Sequence, residues 1–454
     1  MSENRDFLEK EPMGPLLLRL ALPSVVAQLV NLLYNAVDSV YIGHIPGAGR
    51  LALTGVGVCM PVVIAMSAFS ALVGRGGAPK MSICMGQKND EAAERILGSC
   101  FAMLLLVGVV LTAAFLPFAE PLLWLFGASE GTIGYALDYV RIYACGTMFV
   151  MISLGLNAFI TAQGYTKMSM LTVVIGAALN IVLDPIFIFA LDMGVEGAAL
   201  ATIISQAVSA VWAVRFLATK ARLRIRRKYM RLDFKLLGGC LALGISPFVM
   251  QITESLIAIC FNRSLLLYGG ELAVGAMTVF LKLMQFITMP MQGIVQGAQP
   301  ITSYNFGCGN ADRVRKSVTT LITVCLIYSL TACGAIMLFP RAFISLFNDE
   351  AILLDYAVKP MRVYFAGMGI FGAQIACQNS FLSMGNARAS VFLALLRKVI
   401  LLAPLIYILP QFMADKTMAV FLAEPVADFI AVFTTVTMFA ISFRKTLREM
   451  RKAS

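Results

Sequence analysis

Long apolar stretches, separated by short polar loops, divide the chain. Each stretch is long enough for a helix to cross a hydrocarbon core of about 30 Å, which takes about 20 residues. Few stretches alternate between apolar and polar residues, and an open sheet edge is not viable in lipid, so the pattern excludes strands. The pattern predicts an all-α polytopic membrane protein with twelve transmembrane helices. The predicted spans lie near residues 16–38, 52–73, 96–117, 135–156, 168–190, 197–217, 238–261, 273–295, 318–339, 361–380, 389–409 and 418–441.

The second half of the chain repeats the first in a degenerate form, because five residues recur 221 positions later in the same order. Six helices separate equivalent positions, and six is even, so the two repeats have the same orientation in the membrane. Parallel six-helix repeats are a transporter architecture with substrate near the bilayer midplane. We expect an N-terminal lobe (1–218), a basic linker (219–235) and a C-terminal lobe (236–454). The recurring pairs are Gly76 and Gly297, Pro79 and Pro300, Ser82 and Ser303, Gly86 and Gly307, and Asn89 and Asn310.

Composition and charge exclude an ordinary soluble enzyme. The chain is 59% hydrophobic and 13% charged, against roughly 25% charged residues in soluble domains. A net charge of +11 could suggest nucleic acid, but the basic residues concentrate on one side of the predicted membrane, above all from Arg215 to Lys235. By the positive-inside rule, both termini and this segment are cytoplasmic. We expect a multi-pass protein of the cytoplasmic membrane, with no nucleic-acid partner.

Polar side chains of the first helix form one stripe that ends in a carboxylate. A charged residue within a span is costly and usually faces the bundle interior, which makes it a functional candidate. The alternative is a hydrogen-bonded seam between helices, and the carboxylate near the outer end could also be partly solvated. The stripe consists of Gln28, Asn31, Asn35 and Asp38, with Tyr34 adjacent.

The fifth helix carries a second polar group in the sequence LNIVLDPIF. Asn180 and Asp184 are four residues apart and share a helix face. Pro185 follows at once, which frees the carbonyl of Ile181 and favours a kink. Oxygen ligands of this kind suit a hard cation such as sodium, whereas a buried carboxyl group could instead exchange a proton. In the sixth helix, Thr202 is a further possible ligand, although such hydroxyls more often pack helices together.

The second half does not duplicate these carboxylates, since Ala403 aligns with Asp184 and Asn262 falls near the equivalent of Asp38. The cation-attracting half is therefore expected to be the N-terminal one. A different set of charged and polar residues lies within the later spans, where a pair between Glu254 and Lys282 would neutralise both charges. The set comprises Glu254, Lys282, Gln285, Arg397 and Lys398.

Several motifs of enzymes and nucleotide-driven pumps are missing from the sequence. There is no GxxxxGK[ST] loop, no HExxH motif and no GxSxG elbow. We expect a protein that is not an enzyme and needs no cofactor. An ion gradient then becomes the expected source of energy for transport.

The order of motifs resembles the multidrug and toxic compound extrusion (MATE) family over nearly the whole chain. The resemblance rests on NLLYNAVDSVYIG in the first helix, LTGVG opening the second, and LNIVLDPIF followed by GVEGAALAT. It implies a V-shaped transporter of twelve helices that exchanges sodium ions or protons for organic cations. Glu254 matches a helix 7 glutamate implicated in coupling in that family, whereas YFAGMGIFGAQIACQNS lacks the helix 10 carboxylate of some branches. The positions that match the family's cation-binding or protonation residues are Tyr34, Asp38, Asn180, Asp184 and Thr202.

We hypothesise a secondary antiporter, functional as a monomer in the lipid bilayer, that exports amphipathic organic cations. The coupling ion is a proton or a sodium ion bound at Asp38, Asn180 and Asp184. A flippase for lipid-linked or other amphipathic cargo is one alternative, and a non-transporting receptor or scaffold is another. Residues of the C-terminal lobe expected to contribute to coupling or substrate contact are Glu254, Lys282, Gln285 and Arg397.

Overall fold

A computed structural model describes residues 7–347 and 350–453, and all regular secondary structure in these ranges is helical. Within these ranges, nine helices are long and apolar enough to cross a membrane, and a further crossing is a pair of helices bent by 59°. The longest helix, Phe234–Gly307, is interrupted at Gly270, which has a φ of 68° and a ψ of −164°. It is therefore two spans. Residues 351–383 form one more segment, interrupted by a short 3₁₀ turn at Phe365–Gly367. The prediction of twelve transmembrane helices is confirmed.

The first six membrane helices are numbered in chain order. α1 is Met13–Gly43, α2 is Gly49–Gly86, α3 is Asp90–Leu125, α4 is the bent pair Ile133–Cys145 and Thr147–Ala162, α5 is Thr166–Ala190, and α6 is Gly194–Thr219.

The remaining six follow in the same way. α7 is 234–269, α8 is 271–307, α9 is Ala311–Leu338, α10 is 351–383, α11 is Ala387–Phe412, and α12 is Lys416–Ala453.

Internal contacts divide the chain into two units. The N-unit is Arg19–Phe248, and the C-unit joins the residues up to Leu18 to those from Val249 onward. Within the C-unit, Phe280 of α8 packs against Tyr364 of α10 and Phe421 of α12. Within the N-unit, Gly74 of α2 lies directly against the backbone of α4, a close approach that small residues allow between membrane helices.

Equivalent hydrogen bonds in the two units confirm the sequence repeat. The hydroxyl of Ser82 donates to a backbone carbonyl 80 residues later at 2.6 Å, and that of Ser303 does the same at 2.8 Å. Asn89 caps the start of α3 by accepting from a backbone N–H at 3.0 Å, and Asn310 caps α9 in the same way at 3.1 Å. Both asparagines satisfy amides that a helix start leaves without partners.

The basic segment 219–235 belongs to the N-unit and packs against the ends of two of its helices. Arg222 forms an ion pair with Asp90 at 2.8 Å, and Arg226 pairs with Glu94 at 2.7 Å. Gln163 binds both the N–H and the carbonyl of one residue of the segment, at 2.9 and 3.3 Å. The segment is therefore held against the ends of α3 and α4.

Two helices depart from α-helical geometry where the sequence places a proline. In α5, a π-helical turn at Ile186–Ala190 follows Pro185 directly. In α11, a longer π-helical turn at Leu396–Leu402 precedes Pro404. Wide turns of this type are rare and often lie at functional sites. The two disturbed helices carry the polar groups described next.

Candidate functional site

Asn180 connects α5 to α6 in the interior of the N-unit. Its amide donates to Asp184 Oδ1 at 3.1 Å and to the hydroxyl of Thr202 at 3.4 Å. The Thr202 hydroxyl in turn donates to a carbonyl one turn earlier in α6, at 3.0 Å. All three side chains are buried. The four-residue spacing of Asn180 and Asp184 thus places both on one face, as the sequence predicted.

Asp38 of α1 adds a second carboxyl group to this cluster. Its carboxyl lies within hydrogen-bonding range of the Asp184 carboxyl, and Tyr34 lies close enough to interact with both. An ionised carboxylate can only accept hydrogen bonds, so two of them cannot bond to each other. A proton on one carboxyl, or a cation between the two, would turn this approach into a favourable contact.

Three oxygens of this cluster meet no hydrogen-bond donor in the part of the chain that the structure describes. They are Asp38 Oδ1, Asp184 Oδ2 and Asn180 Oδ1, and all three atoms are buried. Burying a polar atom without a partner is costly, and a buried unpaired charge costs more. Oxygen atoms from two carboxyls and one amide suit a proton or a hard cation such as sodium.

A small cavity of about 30 Å³ lies beside these groups and has room for a water molecule. Two further buried acceptors on its wall, Ser205 Oγ and Gln206 Oε1, meet no donor among residues 7–347 and 350–453. The polar face of α6 thus borders the same cavity as the cluster. Polar residues that line it are Asn31, Tyr34, Ser153, Thr172, Asn180, Thr202, Ser205, Gln206 and Ser209.

The polar residues of the α1 stripe do not all lie at this site. Asn31 and Tyr34 line the cavity, and Asp38 reaches the carboxyl of α5. Asn35 is exposed and donates to a carbonyl of its own helix at 2.7 Å. The structure therefore brings together Tyr34, Asp38, Asn180, Asp184 and Thr202, which are the residues that the resemblance assigned to one site.

The C-unit contains a second charged cluster, centred on Arg397 of α11. Its Nε binds Asp428 Oδ1 at 2.6 Å and its Nη2 binds Glu424 Oε1 at 2.8 Å, while its guanidinium lies 4.2 Å from the ring centre of Phe371. Arg397, Glu424 and Asp428 are all buried. The next residue, Lys398, binds Glu254 Oε1 of α7 at 3.0 Å.

The pairing that the sequence suggested for Glu254 is wrong. Glu254 pairs with Lys398 rather than with Lys282, which is exposed, as is Gln285. Sequence reasoning also missed two buried carboxylates, Glu424 and Asp428, which lie inside α12. The signal in the sequence was the segment AEPVAD, which places two acidic residues four apart within an apolar span and around a proline.

Groups of three or more His, Cys, Asp or Glu side chains that could hold a metal ion are absent from the described ranges. A site in the N-unit for a metal ion would have only two carboxylates and would depend on amide and hydroxyl oxygens. That ligand set fits a weakly bound monovalent cation better than a tightly held divalent one.

Comparisons with known proteins agree in both sequence and fold. The family model MatE matches residues 23–186 and 247–408, one match in each half. The multidrug export protein MepA of Staphylococcus haemolyticus (strain JCSC1435) is 22% identical over 435 residues, which is 95% of each chain. MepA of Staphylococcus aureus (strain NCTC 8325 / PS 47) is 22% identical over 404 residues, or 89% of this chain and 88% of that protein.

Solved structures of similar fold cover almost the whole chain. A MATE structure in a bent conformation has a TM-score of 0.92 and 22% identity, and covers 99% of this chain and 100% of that one. An outward-facing multidrug resistance MATE transporter of the MOP superfamily has a TM-score of 0.91 and 22% identity, with coverage of 98% and 99%. A further structure is a MOP superfamily transporter from Pyrococcus furiosus, which is described as having a binding pocket of reversed polarity. It has the same TM-score, identity and coverage as the outward-facing transporter.

Proposed function

This chain belongs to the MATE family of multi-pass membrane transporters, and on this premise we propose a secondary antiporter that exports amphipathic organic cations in exchange for protons or sodium ions. The similar MepA proteins are named as multidrug export proteins, which supports drug export. The observation that carries the coupling to an ion is the contact between Asp38 and Asp184 in the N-unit.

The two carboxyls give a physical reason for coupling. Asp38 belongs to α1 and Asp184 to α5, so their close approach brings two helices together. When both carboxyls are ionised, their repulsion in a poorly hydrated interior opposes this approach, and a bound proton or cation removes it. A conformation with the carboxyls in contact therefore binds the ion more tightly than one with them apart. Unequal affinity of this kind is required for an ion to shift a conformational equilibrium.

The transport cycle follows from the difference in ion affinity between the two conformations. In the outward-facing state, the ion binds at Asp38, Asn180 and Asp184, and α1 and α5 change their bend near Pro23 and Pro185. The organic cation is released outside, and the ion-loaded protein returns to the inward-facing state. The ion then leaves into the cytoplasm, and the repulsion between the carboxyls favours the state that accepts new cargo.

The proposed setting is a bacterial cell membrane with both termini in the cytoplasm. The basic segment 219–235 supports this orientation, since cytoplasmic loops carry the excess of Lys and Arg. The protein functions as a monomer surrounded by lipid, and its partners are its cargo and the coupling ion.

The paired charges of the C-unit favour a cationic over an anionic cargo. A flippase for lipid-linked phosphates would need basic side chains free to bind the phosphate groups. Of the three basic residues that the sequence places within the later spans, Arg397 and Lys398 are instead neutralised by Glu254, Glu424 and Asp428, which leaves the exposed Lys282.

Transport in proteoliposomes under one ion gradient at a time tests the proposal. We expect a proton or a sodium gradient to drive flux of a fluorescent organic cation in the wild type, and Asp184→Asn to abolish it. Asp192→Asn is the matched control, because Asp192 is exposed, just beyond α5, at a φ of 52° that asparagine adopts readily. If neither gradient drives flux of several unrelated cations, the antiport proposal is wrong. Equal flux in Asp184→Asn and the wild type would contradict the assigned site.

A further inference from the structure

The α7 carboxylate of Glu254 is the accessible member of the charged cluster in the C-unit. Its side chain is 59% exposed, whereas that of its partner Lys398 is only 8% exposed. A charged residue in a membrane span faces the bundle interior or a water-filled cavity rather than lipid. The Glu254 carboxylate is therefore open on one side, and its ammonium partner approaches it from the protein side.

The π-helical turn of α11 separates the partners of two adjacent basic residues. Arg397 is directed to α12, where Glu424 and Asp428 both bind it, and Lys398 is directed to α7. Neighbouring residues of a helix do not share a face, which explains the division. The guanidinium thus has two carboxylates of its own and does not need Glu254.

The cluster is short of one positive charge when all its carboxylates are ionised. It contains three acidic side chains, Glu254, Glu424 and Asp428, and two basic ones, Arg397 and Lys398. Lys398 balances Glu254, so the deficit lies at the two carboxylates that share Arg397. Lys398 is close enough to interact electrostatically with Glu424 as well. An ammonium released from Glu254 would therefore still have a negative partner within its range.

We propose that Lys398 is a resident counter-ion of Glu254 that a cationic cargo molecule displaces. It occupies the carboxylate when no cargo is bound and moves toward Glu424 when an organic cation takes its place. The C-unit then never exposes an uncompensated carboxylate, and only a ligand that carries a positive charge can replace the lysine. This inference rests on the proposed export of organic cations and adds the residue that selects for their charge.

Competition between cargo and lysine gives a defined effect on affinity. Removing Lys398 frees Glu254, so a monovalent cation binds without first breaking a charge-assisted hydrogen bond. We expect roughly tenfold tighter binding, the scale that such a bond represents. A neutral ligand of similar shape gains nothing, because it does not replace the lysine at Glu254.

Binding of tetraphenylphosphonium to the purified protein in detergent micelles, measured by calorimetry, tests the proposal. Lys398→Gln should bind this cation roughly tenfold more tightly than the wild type. Lys398→Arg should resemble the wild type, and triphenylphosphine oxide, which is uncharged, should bind both equally. Lys445→Gln is the matched control, since it removes a charge from the same unit at a side chain that is 80% exposed. In a Glu254→Gln background, Lys398→Gln should have no further effect.

A merely structural lysine would give a different result. If the wild type binds the cation and folded Lys398→Gln binds it equally or more weakly, the counter-ion role is wrong and the proposed export stands. If neither protein binds the cation, both are contradicted. Should Lys398→Gln fail to fold, Lys398→Met, which keeps the length of the side chain without its charge, is subject to the same two criteria.

Discussion

Replacing Arg397 by glutamine should destabilise the C-unit strongly. The substitution removes two buried charge-assisted hydrogen bonds, of 2.6 and 2.8 Å, and leaves Glu424 and Asp428 without their shared cation. Each bond represents about 1.5–3 kcal/mol, and breaking a buried ion pair by removing one partner costs about 3–5 kcal/mol. The bonds share one guanidinium and are not independent, so we expect a loss of about 3–5 kcal/mol in the free energy of unfolding.

Reversible unfolding of the purified protein in mixed detergent micelles measures this loss. A variant that combines Arg397→Gln with Glu424→Gln and Asp428→Asn should recover most of it, because no buried charge then lacks a partner. Lys445→Gln serves as the control for a lost positive charge at the surface, with an expected change below about 0.5 kcal/mol. A loss under about 1 kcal/mol in Arg397→Gln, or a triple variant no more stable than the single one, would refute the reasoning.

Three further predictions concern packing and backbone geometry, each measured by the same unfolding assay. Ser82→Ala and Ser303→Ala should each cost about 1–2 kcal/mol, because each leaves a buried carbonyl without its hydroxyl donor; unequal costs would argue against equivalent repeats. Gly244→Ala should cost at least about 1–3 kcal/mol, since its Cβ would collide with a backbone carbonyl of α2. Gly238→Ala is the control and should be neutral or stabilising, because a Cβ at that position meets no atom within 4 Å. Lys88→Gly should stabilise the protein by about 1 kcal/mol, because Lys88 has a φ of 60°; a destabilisation would show that the lysine side chain contributes more than its backbone strain costs.

The spans and the local part of the N-unit site follow from sequence periodicity. Apolar stretches of membrane length predict twelve helices, and a four-residue spacing places Asn180 beside Asp184. The contact between Asp38 and Asp184 joins α1 to α5 across some 146 positions of the chain, and no spacing rule gives it. Only the resemblance of the motifs to those of the MATE family predicts that these two carboxyls belong to one site.

The C-unit shows where sequence reasoning fails. The later spans offer Glu254 three basic residues, Lys282, Arg397 and Lys398, and the choice depends on which helix packs against α7. Sequence spacing within one helix says nothing about that neighbour. The sequence pattern hides the two carboxylates of α12, because the hydropathy of the whole span outweighs a pair of acidic residues. Their four-residue spacing within an apolar span was the available signal.

The most direct test of ion coupling at the N-unit carboxyls is to count the ions that leave the purified protein when cargo binds. Tetraphenylphosphonium is added to the protein in weakly buffered detergent, and released protons or displaced radioactive sodium are measured. The wild type should release one of these ions, Asp184→Asn should release neither, and Asp192→Asn should match the wild type. Release of the same amount from Asp184→Asn and the wild type would contradict the assignment of the coupling ion to Asp38 and Asp184.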